Sequence, residues 1–203
     1  MLQSKRTRLH IEPAALLLWA AFILLSKPQM LLALLTAAVP HELGHYLALR
    51  RFGGTVSELR ITALGAEMRM SGRLSYGGEW LATAAGPFVN LLLAVVFGLL
   101  GRLWESAYLY AGVNLVLGLF NLLPVAPLDG GSLLWIAAAW CTEPYTADRV
   151  TGCAGLITAL SLLTLTAVLI WRFHGGYFLL WTALGLTFAA ARQKGLVKWP
   201  RKR

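Results

Sequence analysis

His41-Glu42-Leu43-Gly44-His45, set inside the apolar run from Met30 to Leu49, decides how the rest of the chain is read. Positions i and i+4 share one face of a helix, so both imidazoles can reach a single Zn²⁺, and Glu42 is placed to act as general base on a water that the metal activates. The carrier helix is itself hydrophobic. Between Met30 and Leu49 the only charged or strongly polar side chains are the three of the motif. HExxH also occurs in soluble helices without meaning. Here the Glu would sit at membrane depth, where an unpartnered charge costs at least about 2.5 kcal/mol and an ionisable residue marks function.

The composition around the motif says the same. Of 203 residues, 58% are hydrophobic and 13% charged, and the mean hydropathy is +0.65, well outside the range of soluble domains. Apolar runs at 11–25, 30–49, 81–100, 108–128, 150–171 and 176–191 predict about six transmembrane helices, each near the roughly 20 residues a span requires. The expected fold is therefore an all-α polytopic membrane protein, one domain over residues 1–203. The net charge of +9 does not point to nucleic acid, because the basic residues cluster beside the spans. With the N-terminus inside, fifteen Lys and Arg fall on the inner side, in the first residues, the 50–79 loop, Arg149 and the 192–203 tail, against three outside, Lys27, Arg102 and Arg172. That bias puts both termini in the cytoplasm, with the basic tail resting on anionic lipid. Cys141 and Cys153 have no CxxC partner and read as small apolar residues.

Two features outside the spans bear on the site. Within the 50–79 loop, Leu59, Ile61 and Ala63 alternate with Glu58, Arg60 and Thr62, and a second alternation follows around Leu64-Gly65, so a β-hairpin near 55–71 is expected after the second span. Beside an active site such a hairpin could offer an edge to an extended peptide, the alternative being an ordinary surface hairpin or a disordered loop. Gly86-Pro87 falls inside the third span with Asn90 one turn later. Local packing explains these residues, and shaping a cavity is the functional alternative.

A hydrolytic zinc takes three protein ligands and leaves one position open. His10 precedes the first span and His174 lies at the outer junction of the last two, so neither easily reaches His41 and His45. The remaining ionisable group in an apolar stretch is Asp129, in Asn121-Leu122-Leu123-Pro124-Val125-Ala126-Pro127-Leu128-Asp129-Gly130-Gly131. Two Pro and two Gly force the helix open there, which at such depth is tolerated around a watery or protein-lined cavity. Asp129 is thus either the third metal ligand or the cap of the following segment 132–140.

Together, His41-Glu42-x-x-His45, Gly86-Pro87-x-x-Asn90 and Asn121-x-x-Pro124-x-x-Pro127-x-Asp129-Gly130 resemble the site-2 protease family of intramembrane zinc metalloproteases. The layout is most similar to the bacterial sporulation type, which clips a membrane-tethered pro-sigma factor. The resemblance implies one Zn²⁺ held by His41, His45 and Asp129, Glu42 as catalytic base, and Asn121 and Pro127, with Asn90, near the substrate. It implies a multi-pass protein of the bacterial cell membrane and a membrane-tethered protein substrate, and family analogy adds an inhibitory membrane partner. No CBS domain of the sporulation type, and no PDZ domain, is expected in these residues. The competing readings are a catalytically silent zinc-binding membrane protein that holds a partner, which would have no use for Glu42, and a metal transporter, for which the other spans lack a relay of ionisable residues.

Overall fold

The computed structural model describes residues 8–11, 26–62, 65–71, 74–173 and 177–193, with isolated positions at 13, 16, 20, 23 and 24. Most of the expected first span, the 63–64 turn, His174 and the tail from 194 onward lie outside the described residues. The chain divides into two compact units, Met1–Gly118 and Leu119–Arg203.

The first unit carries strands β1 (Arg8–Ile11), β2 (Thr55–Thr62) and β3 (Gly65–Ser71), helices α1 (Pro28–Arg51) and α2 (Tyr76–Leu100), and all but the last three residues of α3 (Ala107–Asn121). β2 pairs antiparallel with β3, with Thr62 opposite Gly65 and a register shift between Val56 and Glu58. β1 lies parallel to β2 on its other side, with His10 opposite Arg60. This third strand departs from the sequence expectation, which begins a helix at Ile11. Four residues are too few to show a period of two, and the long apolar run after them hides the boundary.

Each helix begins and ends for local reasons. Pro28 stands in the first turn of α1, where its missing N–H leaves no carbonyl unmatched, and Arg50 and Arg51 in the last turn favour the negative end of the helix dipole. The chain then reverses through Gly53, whose φ of +81° excludes most side chains. At the start of α2, the Ser75 hydroxyl accepts from the Gly78 backbone N–H at 3.2 Å and Glu79 adds an acidic group to the first turn.

Packing in these helices is inverted relative to a water-soluble protein. On α1 the buried residues are Ala33, Ala37 and His41, with Leu49 near its end, whereas Val39 is 60% and Leu47 57% exposed. On α2 the buried line is Gly78, Ala82, Thr83, Gly86, Pro87 and Asn90, whereas Phe88 is 65% and Val95 61% exposed. Apart from Leu49, small and polar side chains face inward and large apolar ones outward, the arrangement expected when the surrounding solvent is lipid. Small residues let the backbones close up. A Cβ on Gly44 of α1 would stand 3.0 Å from the Ala85 carbonyl oxygen of α2. At 25 residues α2 is about 38 Å long, enough for a hydrocarbon core of about 30 Å.

The second unit holds helices α4 (Asp129–Cys141), α5 (Pro144–Phe173) and α6 (Tyr177–Gln193). Its core is Val125, Leu128, Ala159, Leu186 and Ala190, with Phe120, Leu123 and Leu162 packed against it. α5, like α2, is long and apolar enough to cross a membrane. The described helices α1, α2, α5 and α6 follow the expected apolar runs to within a few residues, except that α2 and α5 start about five residues earlier. The run expected at 108–128 instead breaks after Asn121, and a tight turn leads to Asp129 in the first turn of α4. Pro124 and Pro127 supply no N–H, and a cis peptide bond joins Ala126 to Pro127.

Candidate metal centre

The HExxH motif lies in the second half of α1, and Pro40 directly precedes it. His41 is buried, while Glu42 and His45 are half-buried. The two imidazoles meet edge to face, with ring centroids 4.7 Å apart and planes at 85°. Their Nε2 atoms stand 3.1 Å apart.

The opposite nitrogen of each ring is held by α2. His45 Nδ1 lies 2.9 Å from the Ala82 carbonyl oxygen, which can only accept, so this nitrogen carries the proton and donates. His41 Nδ1 meets Asn90 Oδ1. The Asn90 Nδ2 donates to the Ala37 carbonyl at 2.9 Å and to Asn114 Oδ1 at 3.0 Å, so its oxygen is the atom turned to His41, and His41 Nδ1 donates as well. In the neutral ring this leaves both lone pairs on Nε2, and two lone pairs facing each other at 3.1 Å repel unless a positive charge lies between them. Two nitrogens on one tetrahedral zinc, at about 2.0–2.1 Å each, stand about 3.3 Å apart. The pair fits that metal in both tautomer and spacing.

Gly86 is what lets α2 come this close. A Cβ there would fall 2.2 Å from His45 Nε2 and 2.5 Å from Cε1. Ala82, Gly86 and Asn90 recur every four residues, so one stripe of α2 faces the two histidines.

In the second unit, Asp129 is half-buried and opens α4 behind Leu128, which gives no side-chain cap. The two glycines after it are dictated by the turn. A Cβ on Gly130 would lie 2.1 Å from the Leu122 carbonyl oxygen, and one on Gly131 2.7 Å from the Ala126 nitrogen. The 122–128 backbone therefore folds directly over the start of α4, which presents its carboxylate in the first turn. Asp129 is the first residue of α4, whose N-cap position is Leu128. Among the described residues, the trio His41, His45 and Asp129 could hold a metal ion. Two imidazoles and one carboxylate are a zinc donor set that leaves a position for water.

The other expected site residues are distributed unevenly. Asn121 is the last residue of α3 and half-buried, and Pro127 is exposed. Asn90 is fully buried, its amide turned to His41, Ala37 and Asn114. Asn114, which the motif reading passes over, is also fully buried. The signal for it was present, since it is the one amide side chain in the apolar run Tyr108–Phe120 and such a group needs a partner.

Residues 100–165, which include the Asp129 turn, match the family described as Peptidase family M50. Rip3 of Mycobacterium tuberculosis, named as a zinc metalloprotease, is 34% identical over 145 residues, 65% of this chain and 37% of the relative. Stage IV sporulation protein FB of Bacillus subtilis is 27% identical over 135 residues, 64% of this chain and 47% of the relative. The chain thus spans between about a third and a half of the length of these relatives. Among solved structures, the site-2 protease from Methanocaldococcus jannaschii superposes with a TM-score of 0.71 at 20% identity, over 100% of this chain and 98% of that one, and shares its fold. Over residues 100–165 the chain thus matches Peptidase family M50, it is similar in sequence to named zinc metalloproteases, and its fold is that of a site-2 protease.

Proposed function

We propose that this chain is an intramembrane zinc metalloprotease that hydrolyses peptide bonds of membrane-tethered protein substrates. The observation that carries the reading is the pair of HExxH imidazoles, both turned by α2 so that their Nε2 atoms converge. His41, His45 and Asp129 would hold one zinc ion. When bound, zinc supplies Lewis-acid polarisation of the scissile carbonyl and acidifies water toward a pKa of about 7. Glu42, one residue along from His41 on α1, takes the proton from the attacking water and passes it to the leaving amine, a general acid–base contribution of about 10²–10⁴-fold. Asn121 and Pro127, flanking the turn before Asp129, are the residues assigned to the substrate, with the Asn121 amide donating to its backbone or to the developing oxyanion. The outward apolar faces of α1 and α2 support a site reached from lipid, where the substrate helix must unwind before it can be cut. The Lys and Arg distribution supports a multi-pass protein with both termini in the cytoplasm. Likeness to a sporulation protein supports a pro-sigma factor as one substrate of the class.

The test is Glu42→Gln in the full chain with a membrane-tethered reporter. Zinc content and fold are expected to be those of the unaltered protein, and cleavage is expected to vanish. Turnover at the normal rate would remove Glu42 from the mechanism.

A further inference from the structure

We propose that Asn90, itself held by Asn114, is the positioning residue for His41: its amide fixes which ring nitrogen His41 offers to the metal and where that nitrogen points. The inference rests on His41 being a zinc ligand, and the test separates the two.

Three bonds give the amide one orientation. Both Asn90 and Asn114 are 0% exposed, so water does not compete for their polar atoms. Asn114 Nδ2 donates to the Tyr110 carbonyl at 2.9 Å, which directs Asn114 Oδ1 toward Asn90. Asn90 Nδ2 donates to that oxygen and to the Ala37 carbonyl. The only amide atom remaining on the His41 side is Oδ1, an acceptor. Rotating the Asn90 amide by half a turn would set oxygen against oxygen at both Ala37 and Asn114, and would aim N–H at the imidazole.

The sense of the whole chain is therefore set by two backbone carbonyls, of Tyr110 on α3 and Ala37 on α1, neither of which can donate. His45 has the same polarity imposed on it directly, by the Ala82 carbonyl. A backbone carbonyl cannot flip, whereas a side-chain amide can. Asn114 removes that freedom from Asn90, and so three helices agree on one tautomer of His41. A side chain needed only to fill the space between α1 and α2 would not require an acceptor facing Nδ1.

The experiment uses the full chain in detergent and measures zinc affinity by competition with a chromophoric chelator, with circular dichroism as the check of fold. Asn90→Leu removes the acceptor and is expected to weaken zinc binding about 10- to 100-fold. Asn90→Asp keeps an acceptor toward Nδ1; because it sets an oxygen against Asn114 Oδ1, it is made together with Asn114→Ser, whose hydroxyl can donate to that oxygen, and the pair is expected to stay within about threefold of the unaltered chain, well inside the loss that removing such a partner produces. Combined with His41→Ala, the Leu change should add no further loss. A purely structural role predicts instead that Asp is at least as harmful as Leu and that the losses add in the double variant. Either result overturns the proposal. Should Asn90→Leu fail to fold, ¹⁵N spectra of the metal-free unaltered chain decide: the His41 signal, identified by its disappearance in His41→Ala, should report a proton on Nδ1, and a proton on Nε2 would overturn the assignment. Normal zinc affinity in His41→Ala is a separate result and refutes the ligand reading itself.

Discussion

Replacing Gly86 with Ala is a one-carbon perturbation whose outcome the structure sets against ordinary helix energetics. In an exposed helix interior, Gly→Ala stabilises by about 1 kcal/mol. Here the added Cβ would stand 2.2, 2.5 and 2.7 Å from Nε2, Cε1 and Cδ2 of His45. Non-bonded carbon contacts settle near 3.5 Å, so the ring must retreat by about 1 Å, or α1 and α2 must part. The ring is not free to swing, because its Nδ1 donates to the Ala82 carbonyl at 2.9 Å. Overpacking of this kind costs about 1–3 kcal/mol, and losing that hydrogen bond about 0.5–1.5 kcal/mol more. The clash outweighs the propensity gain, for a net destabilisation of about 0.5–3.5 kcal/mol. The effect on the metal is larger in proportion. Ligand distances at such a site are held to about ±0.2 Å, so a 1 Å displacement takes His45 out of coordination. Zinc affinity, read by chelator competition, is expected to fall at least tenfold, the lower end of what a lost supporting interaction costs a metal site, with a lower Tm in detergent. Gly98→Ala is the control on the same helix. Nothing lies within 4 Å of its added Cβ, so it should leave zinc binding unchanged and stability equal or higher. If Gly86→Ala binds zinc as tightly as the unaltered chain, the argument that Gly86 admits the His45 ring to the metal is refuted.

Other substitutions test other parts of the account. Asp129→Asn keeps the shape of the side chain and removes its charge, so zinc should leave on dialysis against chelator while the helices persist by circular dichroism; full retention would exclude Asp129 as a ligand. Gly130→Ala sets a Cβ 2.1 Å from the Leu122 carbonyl oxygen. That atom is backbone, so relief must come from the turn itself, and destabilisation should reach about 3 kcal/mol, the upper end for overpacking, with a matching drop in Tm. Ser75→Ala removes the hydroxyl that accepts from Gly78 and should cost about 1 kcal/mol without altering zinc content. An unchanged Tm would show that this end of α2 is held by packing instead.

The residue pattern made the metal half of the site readable because HExxH fixes two side chains on one helix face with no tertiary information. The helices were readable for a similar reason, since lipid demands long apolar runs. What lay beyond reach depended on packing. The end of α3 at Asn121 and the start of α4 at Asp129 follow from a backbone that folds over Gly130 and Gly131, and a sequence shows the glycines but not what presses on them. Asn90 carried a substrate expectation from its place in the Gly86-Pro87-x-x-Asn90 motif; the structure gives its amide to His41, Ala37 and Asn114. β1 escaped notice because four residues before an apolar stretch carry no period. Gly44 carried no signal of its own and Gly86 was open between packing and cavity-shaping, and what each admits appears only once two backbones are seen at contact distance.

X-ray absorption at the zinc edge on the purified full chain tests the central claim most directly. The account predicts one zinc per chain in a shell of nitrogen and oxygen at about 2.0–2.1 Å, with imidazole scattering lost in His41→Ala and His45→Ala. A sulfur shell near 2.3 Å, which would implicate Cys141 or Cys153, or a chain that takes up no zinc at all, would contradict it.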